Sequence, residues 1–114
     1  MDKLDQYRKC IQEVLTAHHQ LHPANADEGV ERQLLLDRER DHYQLLKIGW
    51  RHGNEPVFGC SIHLSIKDGK IWIERDFTEY GIANELMDRG VPKEDIVLAF
   101  HAPYKRPYTG FAVA

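Results

Sequence analysis

The stretch KDGKIWIERDFTEYGIANEL, residues 67–86, contains in order a turn, a strand and the start of a helix. Asp68-Gly69 separates two runs rich in β-branched residues, and a two-residue type I′ turn requires positive φ at both central positions. The dipeptide therefore predicts a β-hairpin. In this hairpin Ile66 lies opposite Ile71 on the side of the sheet that faces the core.

The same hairpin register predicts further cross-strand neighbours. Leu64 lies opposite Ile73 on the core side. On the other side Ser65 lies opposite Trp72, and His63 lies opposite Glu74. The charged residues around the turn are then solvated or structural side chains rather than an assembled active site.

The apolar period changes after the hairpin. Ile82 and Leu86 form part of a stripe that predicts a helix over residues 79–89. Thr78 is the preferred N-cap of this helix, and Asp76 is a competing capping residue.

The remaining elements follow from the apolar spacing along the chain. Apolar residues at three- and four-residue steps predict an N-terminal helix over residues 2–22. Strands are predicted at residues 30–38, 42–52 and 57–66, and a short strand at residues 95–100. In the third strand the apolar residues alternate, which predicts one core-facing set of Phe58, Cys60, Ile62, Leu64 and Ile66.

The register of the second and third strands indicates the length of the loop between them. A three-residue loop, Gly53-Asn54-Glu55, matches apolar residues across the two strands, whereas a two-residue loop does not. The matched pairs are Trp50 with Phe58, Ile48 with Cys60, and Leu46 with Ile62.

Together these elements predict an α+β fold. An N-terminal helix is followed by an antiparallel meander sheet of about four strands and by a second helix packed on the sheet. A short C-terminal strand and a Pro-rich tail, HAPYKRPYTG, come next, and FAVA at residues 111–114 ends against the sheet. The length of 114 residues predicts one domain over residues 1–114.

Composition limits the class of protein. The apolar share of 42% and the charged share of 29% are typical of a globular protein, and no apolar run is long enough to span a bilayer. The first residues lack the apolar segment of a signal peptide, so a cytoplasmic protein is expected. Cys10 and Cys60 form no CxxC motif and are expected to be reduced, buried side chains.

The charge distribution does not favour direct DNA binding. The net charge is −3, and Lys and Arg are scattered among acids, except in HAPYKRP at residues 101–107. Proteins that grip DNA usually carry a basic excess or stripe. Direct DNA contact stays open as an alternative, and so does self-association.

Three groups of residues bear on catalysis or metal binding. His18 and His22 lie one helical turn apart, but no third metal ligand follows at a fixed spacing. The predicted pair of His63 and Glu74 is either a general base with its orienting group or a polar cross-strand contact, and the contact is favoured. The acids at positions 31, 37, 39 and 41 crowd a turn and are expected to be solvated. No metal or cofactor is expected.

Trp72 raises the question of a partner surface. It lies on the sheet face opposite the core and is either covered by the first helix or the residue 101–108 loop, or exposed together with Tyr43 and Leu45. The candidate partner-binding residues are Tyr43, Trp72, His101, Tyr104, Lys105 and Arg106.

Several blocks of the chain together resemble a known family. The blocks are ERDHYQLLKIGW, DGKIWIERD with TEYGIANEL, GVPKEDIVLAFHAP and FAVA. They are similar to the XisI-like family of fdxN-element excision controlling factors of cyanobacteria. Residues 104–107 depart from the family pattern, so no role is carried onto them.

The resemblance implies an accessory protein rather than the recombinase. Members of this family are accompanied by an XisH-like protein, which itself resembles a restriction-endonuclease-type fold. The resemblance therefore implies a non-catalytic factor that controls excision of a DNA element through a protein partner. Two alternatives remain. One is a DNA-binding recombination factor that uses Lys105 and Arg106, and the other is a small metal-dependent nuclease or hydrolase that uses His63 and Glu74.

Overall fold

The computed structural model describes residues 2–21 and 29–114. Two helices and five strands lie in this part of the chain, together with 3₁₀ turns at Lys93–Asp95 and Pro103–Tyr108. The elements are α1 (Lys3–Gln20), β1 (Val30–Asp37), β2 (His42–Arg51), β3 (Glu55–Lys67), β4 (Lys70–Asp76), α2 (Ile82–Asp88) and β5 (Ile96–Val97). The predicted α+β class is confirmed.

The strands form one sheet in the order β1-β2-β3-β4-β5. The first four strands are antiparallel, as predicted, but β5 runs parallel to β4. The reason is that α2 carries the chain back between these two strands, which is the connection that parallel neighbours require. Beyond β5, the N–H of Ala112 donates to the carbonyl of Ile96 at 2.9 Å, so the final residues do lie against the sheet.

Both helices pack on one face of the sheet. Asp2 caps α1 by accepting a hydrogen bond from the Asp5 N–H, and the apolar stripe of the helix is buried as its spacing predicts. The largest fully buried side chains are Tyr43, Ile11, Leu15, Ile62, Leu64, Ile71, Ile73, Ile82, Leu86, Ile96, Val14 and Val97. In the described ranges no helix is long and apolar enough to cross a membrane.

The β3–β4 hairpin has the predicted turn. Asp68 and Gly69 have φ values of 54° and 77°, as a type I′ turn requires. The three pairs nearest the turn match the prediction, but His63 lies opposite Arg75 instead of Glu74. An irregularity next to His63 shifts the register there, and the Ser65 hydroxyl instead donates to the Glu74 carboxylate at 3.2 Å.

The β2–β3 loop has the predicted odd length but a different position. Arg51 pairs with Glu55, so the loop residues are 52–54, and Ile48 lies opposite Phe58 rather than Cys60. For each residue of β2, the predicted partner on β3 therefore lies two residues too far along the chain.

A bulge at Ser61 also changes which β3 residues face the core. Leu45 pairs with Ile62 and Leu46 with Cys60, which leaves Ser61 as an extra residue on β3. Because one extra residue reverses the alternation of side chains, Cys60 does not share a face with Ile62. The prediction that residues 58, 60, 62, 64 and 66 all face the core is therefore wrong for Phe58 and Cys60.

Helix α2 begins three residues later than predicted, at Ile82 with Gly81 as its N-cap residue. The Asp76 carboxylate accepts hydrogen bonds at 2.8 Å from the backbone N–H groups of both Thr78 and Ile82. Thr78 accepts a hydrogen bond from the Gly81 N–H through its hydroxyl. Asp76, the competing candidate, therefore supplies the carboxylate that caps this helix, and Thr78 is not its N-cap.

Candidate protein-interaction surfaces

The sheet face opposite the helices carries a row of apolar side chains. Alternation along β2 and the register with β1 and β3 place these side chains on one face, away from the core cluster. We call this group the outer patch, and its members are Leu35, Leu46, Ile48, Trp50, Pro56 and Phe58.

The outer patch is exposed to solvent at its aromatic residues. Phe58 is 79% exposed and Trp50 is 56% exposed, and each lies directly opposite another patch residue on the neighbouring strand. Directly opposed side chains are in contact range, so the aromatic residues form part of a continuous surface. Contiguous exposed apolar surface of this kind usually marks an interaction site.

Sequence reasoning assigned Phe58 to the core side and so missed this patch. The signal that could have found it lies in β2, where apolar residues occupy both alternating sets, with Leu45 in one and Leu46 and Ile48 in the other. A strand with apolar residues on both faces needs cover on both, and in the described part of the chain both helices lie on the same face.

Trp72 lies on the outer side of the sheet and is covered by the chain itself. Only 8% of the residue is exposed. The Lys67 ammonium lies 3.9 Å from the ring centroid, and the Arg106 guanidinium carbon lies 5.6 Å from it. Arg106 also donates to the carbonyls of His101 and Ala99. The predicted cover by the residue 101–108 segment is therefore confirmed, and Arg106 is held within the fold.

Tyr43 and Leu45 lie on the core side, which corrects the idea that they share a surface with Trp72. Tyr43 is 1% exposed and Leu45 is 2% exposed, because β2 turns its odd-numbered residues toward α1. A side chain with 1% exposure offers no area to a partner. Tyr43 is therefore not part of the outer patch.

The Tyr43 hydroxyl donates to the Asp41 carboxylate at 2.7 Å, and Arg8 donates to the same carboxylate at 2.8 and 3.0 Å. Burial and the Asp41 carboxylate raise the pKa of Tyr43. Hydrogen bonds from the Arg8 guanidinium lower the pKa of Asp41. Asp41 thus connects α1 to the turn between β1 and β2, so this acid has a structural partner.

We expect the Asp41–Arg8 contact to make stability depend on acid pH. The pKa of Asp41 is below its ordinary value of about 3.9, so the stabilisation is complete above that value and is lost as pH falls through the lower folded pKa. Asp41→Asn should therefore lower the free energy of unfolding at neutral pH and flatten its fall at acid pH. Urea unfolding over a pH series measures both effects.

Asp68→Asn is the matched control for this substitution. Asp68 has a positive φ of 54°, close to the 56° of Asp41, and asparagine tolerates this conformation at both positions. Asp68 is exposed in its turn, so the difference between the two substitutions measures the Arg8 contact. Equal profiles for both variants would show that the Arg8 contact contributes nothing.

The tail, residues 101–110, presents a second exposed surface. Tyr104 is 72% exposed and Tyr108 is 89% exposed, and Lys105 is also exposed. His101 is partly buried, with its ring 4.6 Å from that of Phe100. Of the predicted partner-binding residues, Tyr104 and Lys105 are the ones that the fold leaves most open to solvent.

The histidines and acids considered for chemistry make contacts within the fold. His18 lies 2.6 Å from the Glu85 carboxylate and links α1 to α2, while His22 falls outside the described residues. His63 lies 3.4 Å from His42, and burial lowers the pKa of His63. In residues 2–21 and 29–114, no three His, Cys, Asp or Glu side chains are grouped as a metal site would need.

The acids near the β1–β2 turn do not converge on one point. Asp37 accepts hydrogen bonds from the backbone N–H groups of Glu39 and Arg40, and Glu39 is exposed. Glu31 is exposed on β1 at the other end of that strand. Asp37, the last residue of β1, thus stabilises the β1–β2 turn.

Cys10 and Cys60 are free and partly buried, and burial raises the pKa of both thiols. The expectation that both side chains are buried is wrong, since each is partly exposed. The Cys60 thiol donates to the Ile62 carbonyl beside the Ser61 bulge.

The fold and the outer patch define a small α+β protein with helices on one sheet face and an exposed apolar patch on the other. The chain belongs to the XisI protein family, whose model matches residues 1–113. The family resemblance of the sequence blocks is therefore confirmed.

Two solved structures are similar over nearly the whole chain. The crystal structure of a XisI-like protein from Anabaena variabilis ATCC 29413 is 45% identical, with a TM-score of 0.90 over 97% of this chain and 99% of that one. The crystal structure of fdxN element excision controlling factor XisI from the same organism is 41% identical, with a TM-score of 0.88 over 99% of this chain and 100% of that one. A comparison with curated proteins found no match.

Proposed function

We propose that this protein controls excision of a DNA element by binding a protein partner through the outer patch. Family membership and the 41% identity to an excision controlling factor support the role in excision control. The exposure of Phe58 and Trp50 on the open sheet face is the observation that supports binding to a protein. Such a factor acts beside the chromosome, in the cytoplasm.

The outer patch has the features of a protein-binding site. Large aromatic side chains contribute most of the affinity in many interfaces, because they bury much area at a small loss of side-chain entropy. Phe58 and Trp50 would be the anchors, with Ile48 and Pro56 as their neighbours across the strands. Gln33 and Gln44 lie on the same face and would form a polar rim.

The partner that we propose is an XisH-like protein, and the mechanism is regulation by complex formation rather than chemistry by this chain. Occupation of the outer patch would hold the partner in, or away from, the recombination complex. The acids and histidines weighed for catalysis would then serve only the folded structure. This accords with the internal contacts of Asp41, Glu74 and His18.

We expect Phe58→Ala to weaken binding to an XisH-like protein by more than about tenfold, since an aromatic anchor commonly contributes about 2 kcal/mol. Stability should change by no more than about 0.5 kcal/mol, because Phe58 is 79% exposed. Calorimetric titration of the purified proteins measures the affinity, and urea unfolding measures the stability.

Tyr108→Ala is the matched control, since it removes an aromatic residue that is 89% exposed on the tail. Full affinity in Tyr108→Ala with loss in Phe58→Ala supports the outer patch. The reverse pattern would place the partner on the tail. Absence of any complex at micromolar concentrations would contradict the proposed partner.

Excision can be measured separately in cells. Amplification across the rejoined ends of the element reports excision in a strain carrying Phe58→Ala in place of the wild-type gene. Altered excision at normal protein level supports the role in control. Unchanged excision in a strain lacking the gene would contradict it.

One experiment tests the alternative of direct DNA binding. Arg106 is held between Trp72 and two backbone carbonyls, which leaves Lys105 as the exposed cation of the pair. A mobility shift that weakens with salt and is lost in Lys105→Glu would favour DNA as the ligand.

A further inference from the structure

Two histidines lie next to each other on the outer side of the sheet, at the end far from the β2–β3 loop. His42 is the first residue of β2, and His63 lies in β3. Alternation along β2 places His42 on the face opposite its neighbour Tyr43, which is buried in the core. Ile62 and Leu64, on either side of His63, are also core residues, so His63 shares the outer face with His42.

The register of β2 and β3 places the two imidazole rings diagonally across the strands. His42 lies opposite Ser65, and His63 lies opposite Gln44. Diagonal neighbours of this kind are within reach of ring side chains. The ring centroids are 5.6 Å apart, and the His42 Nδ1 and His63 Nε2 atoms are 3.4 Å apart. One ring nitrogen of each histidine therefore faces the other ring.

A hydrogen bond between the two rings is a poor explanation of this distance. An N–H donor usually lies about 2.9–3.0 Å from its acceptor, so a contact of 3.4 Å is long. Within residues 2–21 and 29–114, neither ring has a second hydrogen bond. His42 is exposed and His63 is only partly buried. An ion from solvent can therefore reach the pair.

The separation of the two nitrogens fits a pair of ligands to one Zn²⁺ ion. Zn–N bonds are about 2.0–2.1 Å long, and a tetrahedral angle between two such bonds places the nitrogens about 3.3–3.4 Å apart. Neighbouring positions of a square-planar or octahedral ion would require only about 2.8–3.0 Å. The observed 3.4 Å therefore matches tetrahedral zinc.

The charged groups beside the pair are compatible with a bound cation. The Glu74 carboxylate favours positive charge at His63 and accepts a hydrogen bond from Ser65. Arg75 lies directly opposite His63, but its guanidinium is stacked 4.6 Å from the Phe77 ring. Glu74 would therefore offset part of the charge that a metal ion brings to this face.

We propose that His42 and His63 form a two-histidine site for Zn²⁺. Water completes the coordination, because within residues 2–21 and 29–114 no third His, Cys, Asp or Glu is grouped with the pair. Two protein ligands hold zinc more weakly than the usual three or four, so we expect a dissociation constant of about 10–100 µM. The site lies on the same sheet face as the outer patch, at the other end of β2, and does not depend on the proposed partner.

The test is a titration of the ¹⁵N-labelled full chain, free of any affinity tag, with Zn²⁺. NMR of the imidazole nitrogens reports which rings bind the ion. Zn²⁺ should shift the resonances of His42 and His63 to saturation in the expected concentration range. Mg²⁺, which prefers oxygen ligands, should shift neither ring at the same concentrations.

His42→Gln and His63→Gln should each weaken Zn²⁺ binding at least about tenfold, because each removes one of two protein ligands. The resonances of the remaining histidine measure the affinity. His42 is exposed, so His42→Gln keeps the test decisive if the partly buried position 63 does not tolerate glutamine.

His52→Asn is the matched control, since it removes an exposed imidazole from the β2–β3 loop. His52 has a φ of 55°, a conformation that asparagine tolerates, so the loop should keep its shape. This variant should bind Zn²⁺ as the wild type does, and a loss of affinity in it would overturn the proposal. No shift of either ring at about 1 mM Zn²⁺, equal shifts with Mg²⁺, or full affinity in His42→Gln would each overturn it as well.

Discussion

Gly49→Ala should lower the free energy of unfolding by more than about 4 kcal/mol, an effect large enough to unfold a protein of ordinary stability. Gly49 has a φ of 154°, and a Cβ atom added there would lie 2.1 Å from the Gly29 carbonyl oxygen and 2.8 Å from the Val30 Cα. Both are backbone atoms that cannot rotate away. The hydrogen bond from the Trp50 N–H to the Gly29 carbonyl, 2.9 Å, would be broken as the strands separate.

Gly59→Ala is the matched control for this clash. Gly59 lies in β3, the strand next to β2, and a Cβ there meets nothing within 4 Å. We expect a change within about 1 kcal/mol, with stabilisation as the favoured sign because alanine reduces the entropy of the unfolded chain. Urea unfolding of both variants measures the difference. Similar stability in the two would show that the close contact between β1 and β2 is not needed.

Trp72→Ala should cost about 3 kcal/mol or more and release the tail from the sheet. The indole is 8% exposed, its Nε1–H donates to the Lys67 carbonyl at 3.0 Å, and the tail reaches it through Arg106. Removing the ring leaves a gap between strand and tail that the backbone cannot close. Trypsin should then cut after Lys105 faster than in the wild type, because local opening exposes that bond.

Tyr104→Ala tests whether the effect belongs to the tail in general. Tyr104 is 72% exposed in the same segment, so its loss should change stability by no more than about 0.5 kcal/mol and leave the trypsin rate unaltered. A Trp72→Ala variant within about 1 kcal/mol of the wild type, with the same resistance to trypsin, would show that the tail is held elsewhere.

Features with a local signal were predictable from the sequence. Asp68-Gly69 determines its turn because few other residues adopt positive φ at both positions, and the register next to that turn followed directly. The buried stripe of α1 follows from helical spacing in the same way. These elements depend on residues that are close together along the chain.

Two features without a decisive local signal were not predicted correctly. The Ser61 bulge has no sequence signal of its own, because the extra residue is accommodated by packing and by the hydrogen bond from the Phe77 N–H to the Ser61 carbonyl. The start of α2 was misplaced because the Asp76 carboxylate caps the helix from six residues before Ile82. Because the bulge was not predicted, Phe58 was assigned to the core and the outer patch was missed. Because the Asp76 cap was not preferred, the start of α2 was predicted three residues too early.

The Ser61 bulge divides β3 into two parts that lie in different surroundings. Substitutions at Phe58 change the open tip of the hairpin, while Ile62 and Leu64 keep their positions beneath α1. A substitution in the outer patch could therefore leave the framework of the fold intact.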